Sequence, residues 1–244
     1  MRSIFTITGH TISEHLRSWQ FLAELLPAAG IIAVFFKYVP IHGNYDQFAA
    51  IIGAYLLLQA ILTTALIFTS AAKARSYPVL ARLTTRWPFF VGKLLAALLL
   101  VFATYALLLA YLLPTRLLSF APEQNPWFYL LVGSGAMLLN VVTVSAITAL
   151  AMPLISGSVV RLIILALFAL SVFSYSVADV PTQLRFLVAP FNALTFPILF
   201  TYQLAHNPVF ESWTPIALTT NLLYLVVALL LAHYFFSRRE LLLA

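Results

Sequence analysis

Polar uncharged side chains recur one or two helical turns apart inside three of the long apolar runs of this chain. Each set lies on a single helix face, and such a face of an apolar helix usually points into the protein rather than at lipid. The chemistry available to these faces is hydrogen bonding between helices or the lining of a weakly polar conduit, and the sequence leaves both open. The faces consist of Tyr55, Gln59 and Thr63; of Asn140, Val144 and Thr148; and of Ser171, Ser174, Tyr175 and Ala178.

Glu24 is the one acidic residue that falls within a predicted span. It lies near one end of the first apolar run, whereas carriers coupled to protons or sodium usually need deeper carboxylates. We therefore expect Glu24 to meet Arg17 or a partner subunit at the membrane interface.

The motifs of nucleotide hydrolases, metalloproteases and serine hydrolases are missing from the sequence. It contains no GxxxxGK[ST], HExxH or GxSxG motif, and its five histidines are scattered over different predicted depths. Cysteine is absent, which excludes disulfides and thiolate metal sites. We predict no catalytic residue, metal site or cofactor in this chain, and no ATP hydrolysis by the chain alone.

The elements that must position these residues are predicted to be membrane helices. The chain has 244 residues, of which 63% are hydrophobic and 8% charged, whereas about a quarter of a soluble domain is charged. At about 20 apolar residues per span, the sequence predicts an all-α integral membrane protein with one transmembrane domain and six transmembrane helices, surrounded by lipid. The spans are about 21–36, 48–70, 89–113, 127–151, 159–178 and 215–236.

Residues 2–18 precede the first span and are mixed rather than apolar in composition. Four apolar residues recur on one helical face, which predicts a helix lying in the plane of the membrane interface. A frayed polar tail is the alternative interpretation. The four residues are Phe5, Ile12, Leu16 and Trp19.

Residues 179–214 are largely apolar but are interrupted by four prolines. Each proline removes a backbone donor and disfavours helix at the residue before it, and the segment is too short for two full spans. We expect a re-entrant segment on the external side, buried against protein, before the last helix. The prolines are Pro181, Pro190, Pro197 and Pro208.

Lysine and arginine are distributed unevenly over the two predicted sides of the membrane. The positive-inside rule places the richer side, with ten basic residues, in the cytoplasm, so both termini are predicted to be cytoplasmic in an inner or plasma membrane. The net charge of +6 could indicate nucleic-acid binding, but these charges flank the spans, and we expect no nucleic-acid partner. The ten are Arg2, Arg17, Lys73, Arg75, Arg82, Arg86, Lys93, Arg161, Arg238 and Arg239, against Lys37, Arg116 and Arg185 on the other side.

The basic stretch 71–88, between the second and third spans, has the pattern of a short amphipathic helix. Pro78 suits its first turn, and apolar and basic residues then fall on separate faces. A docking helix for a cytoplasmic partner and an ordinary basic loop are both compatible with this pattern. The apolar face is Leu80, Leu83 and Trp87, and the basic face is Arg75, Arg82 and Arg86.

Several short motifs follow one another in and after this stretch: Lys73-Ala74-Arg75, Val79–Leu83, Trp87-Pro88 and Gly92-Lys93, with Phe236–Leu241 at the C-terminal end. In this order, and in the layout of the whole chain, the sequence resembles the permease subunits of type-2 ABC exporters. That family has an interfacial N-terminal helix, six spans, a cytoplasmic coupling helix between the second and third spans, and re-entrant helices before the sixth. Its usual Glu-Arg-Glu cluster is replaced here by Lys73-Ala74-Arg75-Ser76.

The resemblance implies an export function with defined partners. A second permease chain, as a homo- or heterodimer, would form with this one a path for an amphipathic or apolar substrate. Separate cytoplasmic ABC ATPase subunits would bind ATP and Mg²⁺. Tyr55, Gln59, Thr63, Ser171, Ser174 and Tyr175 would line or border this path. The six residues of the two coupling-helix faces would contact the ATPase. The altered glutamate cluster motivates the alternative, a non-transporting structural or assembly subunit of a larger membrane complex.

Overall fold

The computed structural model describes residues 2–38, 43–71, 87–115, 118–120, 124–154, 166 and 196–238. These residues are mostly helical, with one pair of very short strands. The helices are α1 (Arg2–Arg17), α2 (Gln20–Ile31, continued as a π-helix over Ile32–Tyr38), α3 (Tyr45–Ala71), α4 (Trp87–Leu112), α5 (Pro126–Leu154), α6 (residues 196–206) and α7 (Thr214–Arg238), and the strands are β1 (Gly43–Asn44) and β2 (Leu118–Ser119).

Four of the described helices, α3, α4, α5 and α7, are long and apolar enough to cross a membrane. Their positions agree with the predicted second, third, fourth and sixth spans. The predicted first span falls on α2 and its π-helical continuation, where the apolar stretch Glu24–Phe35 is shorter than those four. The predicted fifth span, 159–178, lies outside the described residues apart from position 166.

The two ends of the helix bundle are marked by different contacts. At one end, which we call the strand end, Gly43 pairs with Leu118 and Asn44 with Ser119 in a parallel ladder. Because β1 directly precedes α3 and β2 follows α4, this ladder joins the start of α3 to the region just after α4.

At the opposite end, which we call the α1 end, three elements meet around the start of α4. The Trp87 ring contacts the His233 ring of α7 edge-on, with centroids 4.7 Å apart. Thr8 of α1 donates a hydrogen bond to the Gly92 carbonyl at 3.1 Å. The last turns of α7 therefore lie at the same end of the bundle as α1.

Helix α3 forms the centre of the described bundle, while α7 lies at its edge. In the most apolar window of each helix, 78% of the residues are buried for α3 and 22% for α7. A glycine allows α3 and α5 to approach closely, because a Cβ at Gly133 would overlap the Tyr45 hydroxyl oxygen. The Tyr45 ring also packs edge-on against Tyr129, with centroids 5.4 Å apart.

Helix α1 packs on the first turns of α4 through one face and leaves another face exposed. A Cβ at Gly92 would lie 2.8 Å from Ile7 Cγ2, so this glycine permits the close approach of α1. Phe5 and Trp19, which the sequence predicts to contact the membrane interface, are 70% and 68% exposed.

Helix α6 is the part of the predicted re-entrant segment that the structure describes most fully. It runs toward the strand end, where a Cβ at Gly133 would lie 2.9 Å from the Ala205 carbonyl oxygen. The Tyr202 hydroxyl donates a hydrogen bond to the Ala50 carbonyl at 2.7 Å. At about 1.5 Å per residue, residues 196–206 rise only about 16 Å, about half of the roughly 30 Å hydrocarbon core.

Candidate functional site

Two clusters of buried polar side chains lie inside the described bundle. The first, which we call the Glu24 cluster, joins α1, α2, α3 and α4. The second, which we call the amide cluster, joins α5, α6 and α7. The Glu24 cluster consists of His15, Glu24, Tyr55, Gln59, Thr63 and Thr104; the amide cluster consists of Asn140, Thr143, Thr201 and Asn221.

The Glu24 carboxylate accepts hydrogen bonds from three side chains. His15 donates from Nε2 to Oε1 at 3.0 Å, and Thr63 donates to the same oxygen at 2.7 Å. Gln59 Nε2 approaches Oε2 at 3.4 Å. Glu24 is 6% exposed and His15 is 3% exposed. A carboxylate this deeply buried is stable only when donors replace its lost water, and these three do so.

Two further hydrogen bonds extend the cluster along α3. Gln59 Nε2 donates to Thr104 Oγ1 of α4 at 2.9 Å, and the Tyr55 hydroxyl donates to the Glu24 backbone carbonyl at 2.5 Å. A single acidic residue thus ties the interfacial helix predicted from the sequence to the centre of the bundle.

Of the two partners expected for Glu24, Arg17 or a partner subunit, the prediction of Arg17 is wrong. His15 forms a hydrogen bond with the Glu24 carboxylate, and Arg17 is exposed. The reason is helical geometry: two residues further along α1 a side chain points about 200° away around the axis. The turn between α1 and α2 therefore brings His15, and not Arg17, to face Glu24.

The structure places Tyr55, Gln59 and Thr63 on one buried face of α3, where they hydrogen-bond neighbouring helices. The other three proposed path residues, Ser171, Ser174 and Tyr175, lie outside the described residues. Sequence reasoning missed His15 and Thr104 as members of the cluster. Thr104 belongs to no polar repeat within its own helix, so no signal along the sequence distinguishes it. His15 follows Thr8 and Thr11 at helical spacing on the buried face of α1, and this repeat is the signal that could have indicated it.

The amide cluster fastens the short helix α6 to its neighbours. Asn221 of α7 donates from Nδ2 to Asn140 Oδ1 and to Thr201 Oγ1, both at 2.7 Å. Thr201 also donates to Asn140 Oδ1. Thr143 Oγ1 donates to Asn221 Oδ1 at 2.7 Å. All four side chains are fully buried, so these bonds hold α5, α6 and α7 in one arrangement.

Some buried polar atoms in the described part of the chain have no hydrogen-bond partner. Such atoms are costly in an apolar interior unless water or another molecule reaches them. Thr148, on the predicted polar face of α5, is among the residues concerned, so that face keeps unused hydrogen-bonding capacity. The atoms include Gln59 Oε1, Thr64 Oγ1, Asn140 Nδ2, Ser145 Oγ and Thr148 Oγ1.

The predicted coupling segment is described only at its boundaries. Trp87 begins α4, where its ring stacks on Phe90 with centroids 5.3 Å apart, in addition to its contact with His233. The other predicted coupling residues, Arg75, Leu80, Arg82, Leu83 and Arg86, lie outside the described residues.

No protein-family model matches this chain, and no curated protein matches it. Within the described ranges, no group of three or more histidine, aspartate and glutamate side chains is arranged to hold a metal ion. What the described arrangement can do chemically is form hydrogen bonds between helices.

Proposed function

We propose that this chain is the membrane permease subunit of an ABC transporter. Two permease chains would form a path for export of an amphipathic or apolar substrate, and separate cytoplasmic ATPase subunits would drive the movement. The proposal includes a six-span topology in the inner or plasma membrane with both termini in the cytoplasm.

The observation that carries this proposal is the meeting of three elements at the point where the predicted coupling segment rejoins the bundle. That segment ends as α4 begins at Trp87. Trp87 contacts His233 of α7, and α1 packs against Gly92 one turn later. A force applied to this segment by an ATPase would therefore reach α1, α4 and α7 together.

The Glu24 cluster provides a route for such a movement to the centre of the bundle. Helix α1 contacts α4 through Thr8 and Gly92, and its other end holds Glu24 through His15. From Glu24 the hydrogen bonds continue to Gln59. In this conformation Gln59 is 2% exposed, so we propose that it borders the path and sets the position of α3 rather than contacting the substrate.

Co-purification tests the proposal. The tagged chain, solubilised from its native host in mild detergent, should capture an ATPase encoded alongside it, and ATPase activity of the complex should respond to substitutions in the coupling segment. We expect Arg82→Glu to lower that activity or release the ATPase, and Arg17→Glu to have little effect, because Arg17 is an exposed arginine outside the segment. A chain that never captures an ATPase would rule the proposal out.

A structural or assembly subunit is the second candidate. The observation that favours it is that Tyr55, Gln59 and Thr63 all make hydrogen bonds within the chain. This candidate predicts that a bulky replacement at Ser171 leaves the activity of the complex unchanged, whereas the permease proposal predicts a loss. A stand-alone carrier would instead show uptake into liposomes without ATP.

A further inference from the structure

The turn between α1 and α2 contains a strained residue. Trp19 has φ 60° and ψ 8°, in the left-handed region, and it is the non-glycine residue with positive φ within the described ranges. A bulky side chain rarely adopts this conformation, which persists only when surrounding contacts enforce it. Trp19 is 68% exposed, so burial of its own side chain does not enforce the turn.

The contact that spans the turn is the one between His15 and Glu24. Local bonds also shape the turn, since Ser18 Oγ donates to the His15 carbonyl at 2.9 Å and the Leu22 amide donates to the Trp19 carbonyl at 3.0 Å. Those bonds stay within the corner. The His15–Glu24 contact, at 3.0 Å and buried on both sides, joins the end of α1 to α2 across the turn and, through the rest of the Glu24 cluster, to α3 and α4.

We propose that α1 is a hinged lever, with Trp19 as its hinge and the His15–Glu24 contact as the latch that holds it closed. Strain at Trp19 favours opening, and the buried contact opposes it together with the packing of α1 on α4. The N-terminal half of the lever lies on the first turns of α4 through Ile7, Thr8 and Gly92. A displacement of the start of α4 therefore turns α1 about Trp19 and withdraws His15 from Glu24. This inference concerns the motion of α1 and stands whether or not the chain is a permease.

The chain contains a matched control for the latch on the same helix. His10 Nε2 lies 3.6 Å from Glu14 Oε1, and the two side chains are 63% and 55% exposed. This pair has the same chemistry, but it does not cross the turn and is solvated. Exposed ion pairs contribute little to stability, so a substitution at His10 should leave the lever in place.

Distances between spin labels test the lever directly. The chain has no cysteine, so Gly9→Cys on α1 and Gly135→Cys on α5 introduce unique labelling sites, and neither added Cβ has a heavy atom within 4 Å. Labelled chain is diluted with unlabelled chain to remove distances between copies. We expect one narrow distance in the parent, a distribution at least twice as wide after His15→Phe, and the parent distribution after His10→Gln.

A second label pair separates loss of the latch from loss of the fold. Leu107→Cys on α4, where the side chain is 61% exposed, and Gly135→Cys report on the bundle alone, and their distance should not change after His15→Phe. In the His15→Phe background, Trp19→Asn should narrow the Gly9–Gly135 distribution again, because asparagine tolerates left-handed backbone. The proposal fails if His15→Phe leaves the α1 distance as in the parent, if both pairs broaden alike, or if Trp19→Asn has no effect.

Discussion

Replacing Glu24 by alanine removes the centre of the Glu24 cluster and leaves three buried donors without their acceptor. These donors are His15 Nε2, Thr63 Oγ1 and Gln59 Nε2. Hydrogen bonds inside membrane proteins contribute about 0.6 kcal/mol on average and up to about 1.7 kcal/mol. Three of them therefore sum to about 2–5 kcal/mol.

A separate estimate comes from the cost of leaving buried donors without an acceptor. Each such donor costs about 1–3 kcal/mol, and His15 and Thr63 both lose their acceptor on Glu24. The two ranges overlap, so we expect Glu24→Ala to lower the free energy of unfolding by about 2–5 kcal/mol. For a chain of this size the midpoint of thermal unfolding would fall by about 4–20 °C.

The assay is the free energy of unfolding in detergent micelles titrated with SDS, followed by circular dichroism. His10→Ala is the matched control, because His10 is exposed and pairs with Glu14 on the surface, and its loss should cost less than about 0.5 kcal/mol. If the two alanine variants differ by less than about 1 kcal/mol, the cluster does not hold the bundle together as argued.

Three further predictions concern other parts of the bundle. Gly133→Ala should destabilise the fold by about 1–3 kcal/mol, because the new methyl group overlaps the Tyr45 hydroxyl, while Gly135→Ala, which meets open space, should be neutral or slightly stabilising; the same SDS titration measures both. Asn221→Leu should lower stability by about 1–3 kcal/mol and increase proteolysis between α6 and α7, since three bonds of the amide cluster are lost. Burial lowers the pKa of His206 below its usual 6.5. The unfolded chain therefore binds this proton more readily, and the free energy of unfolding falls as the pH drops below 6.5. In His206→Gln, the melting temperature should fall less than in the parent between pH 7 and pH 5.

The lengths and positions of α3, α4, α5 and α7 could be predicted from hydropathy alone. A helix that crosses lipid needs about 20 apolar residues whatever its neighbours are, so the length and hydropathy of each segment are enough to predict it. The common face of Tyr55, Gln59 and Thr63 could be predicted for a similar reason, because residues four apart lie on one side of any α-helix.

Contacts between helices could not be predicted in this way. Asn140 and Asn221 are 81 residues apart in the sequence, and nothing in either helix indicates that the two amides meet. The partner of Glu24 was predicted wrongly because the choice between His15 and Arg17 depends on the turn that follows α1. That turn requires a left-handed backbone at Trp19, and no local preference of tryptophan indicates it.

The amino-acid sequence by itself therefore determined that α3, α4, α5 and α7 are helices fit for a membrane and that Tyr55, Gln59 and Thr63 share one face of α3. Both properties depend on the spacing of residues along one helix. Only the tertiary structure decided that the polar face of α3 joins an acidic residue of α2 and a histidine of α1. That pairing depends on the relative placement of three helices, and the free energy that fixes the placement comes from packing and buried hydrogen bonds between them.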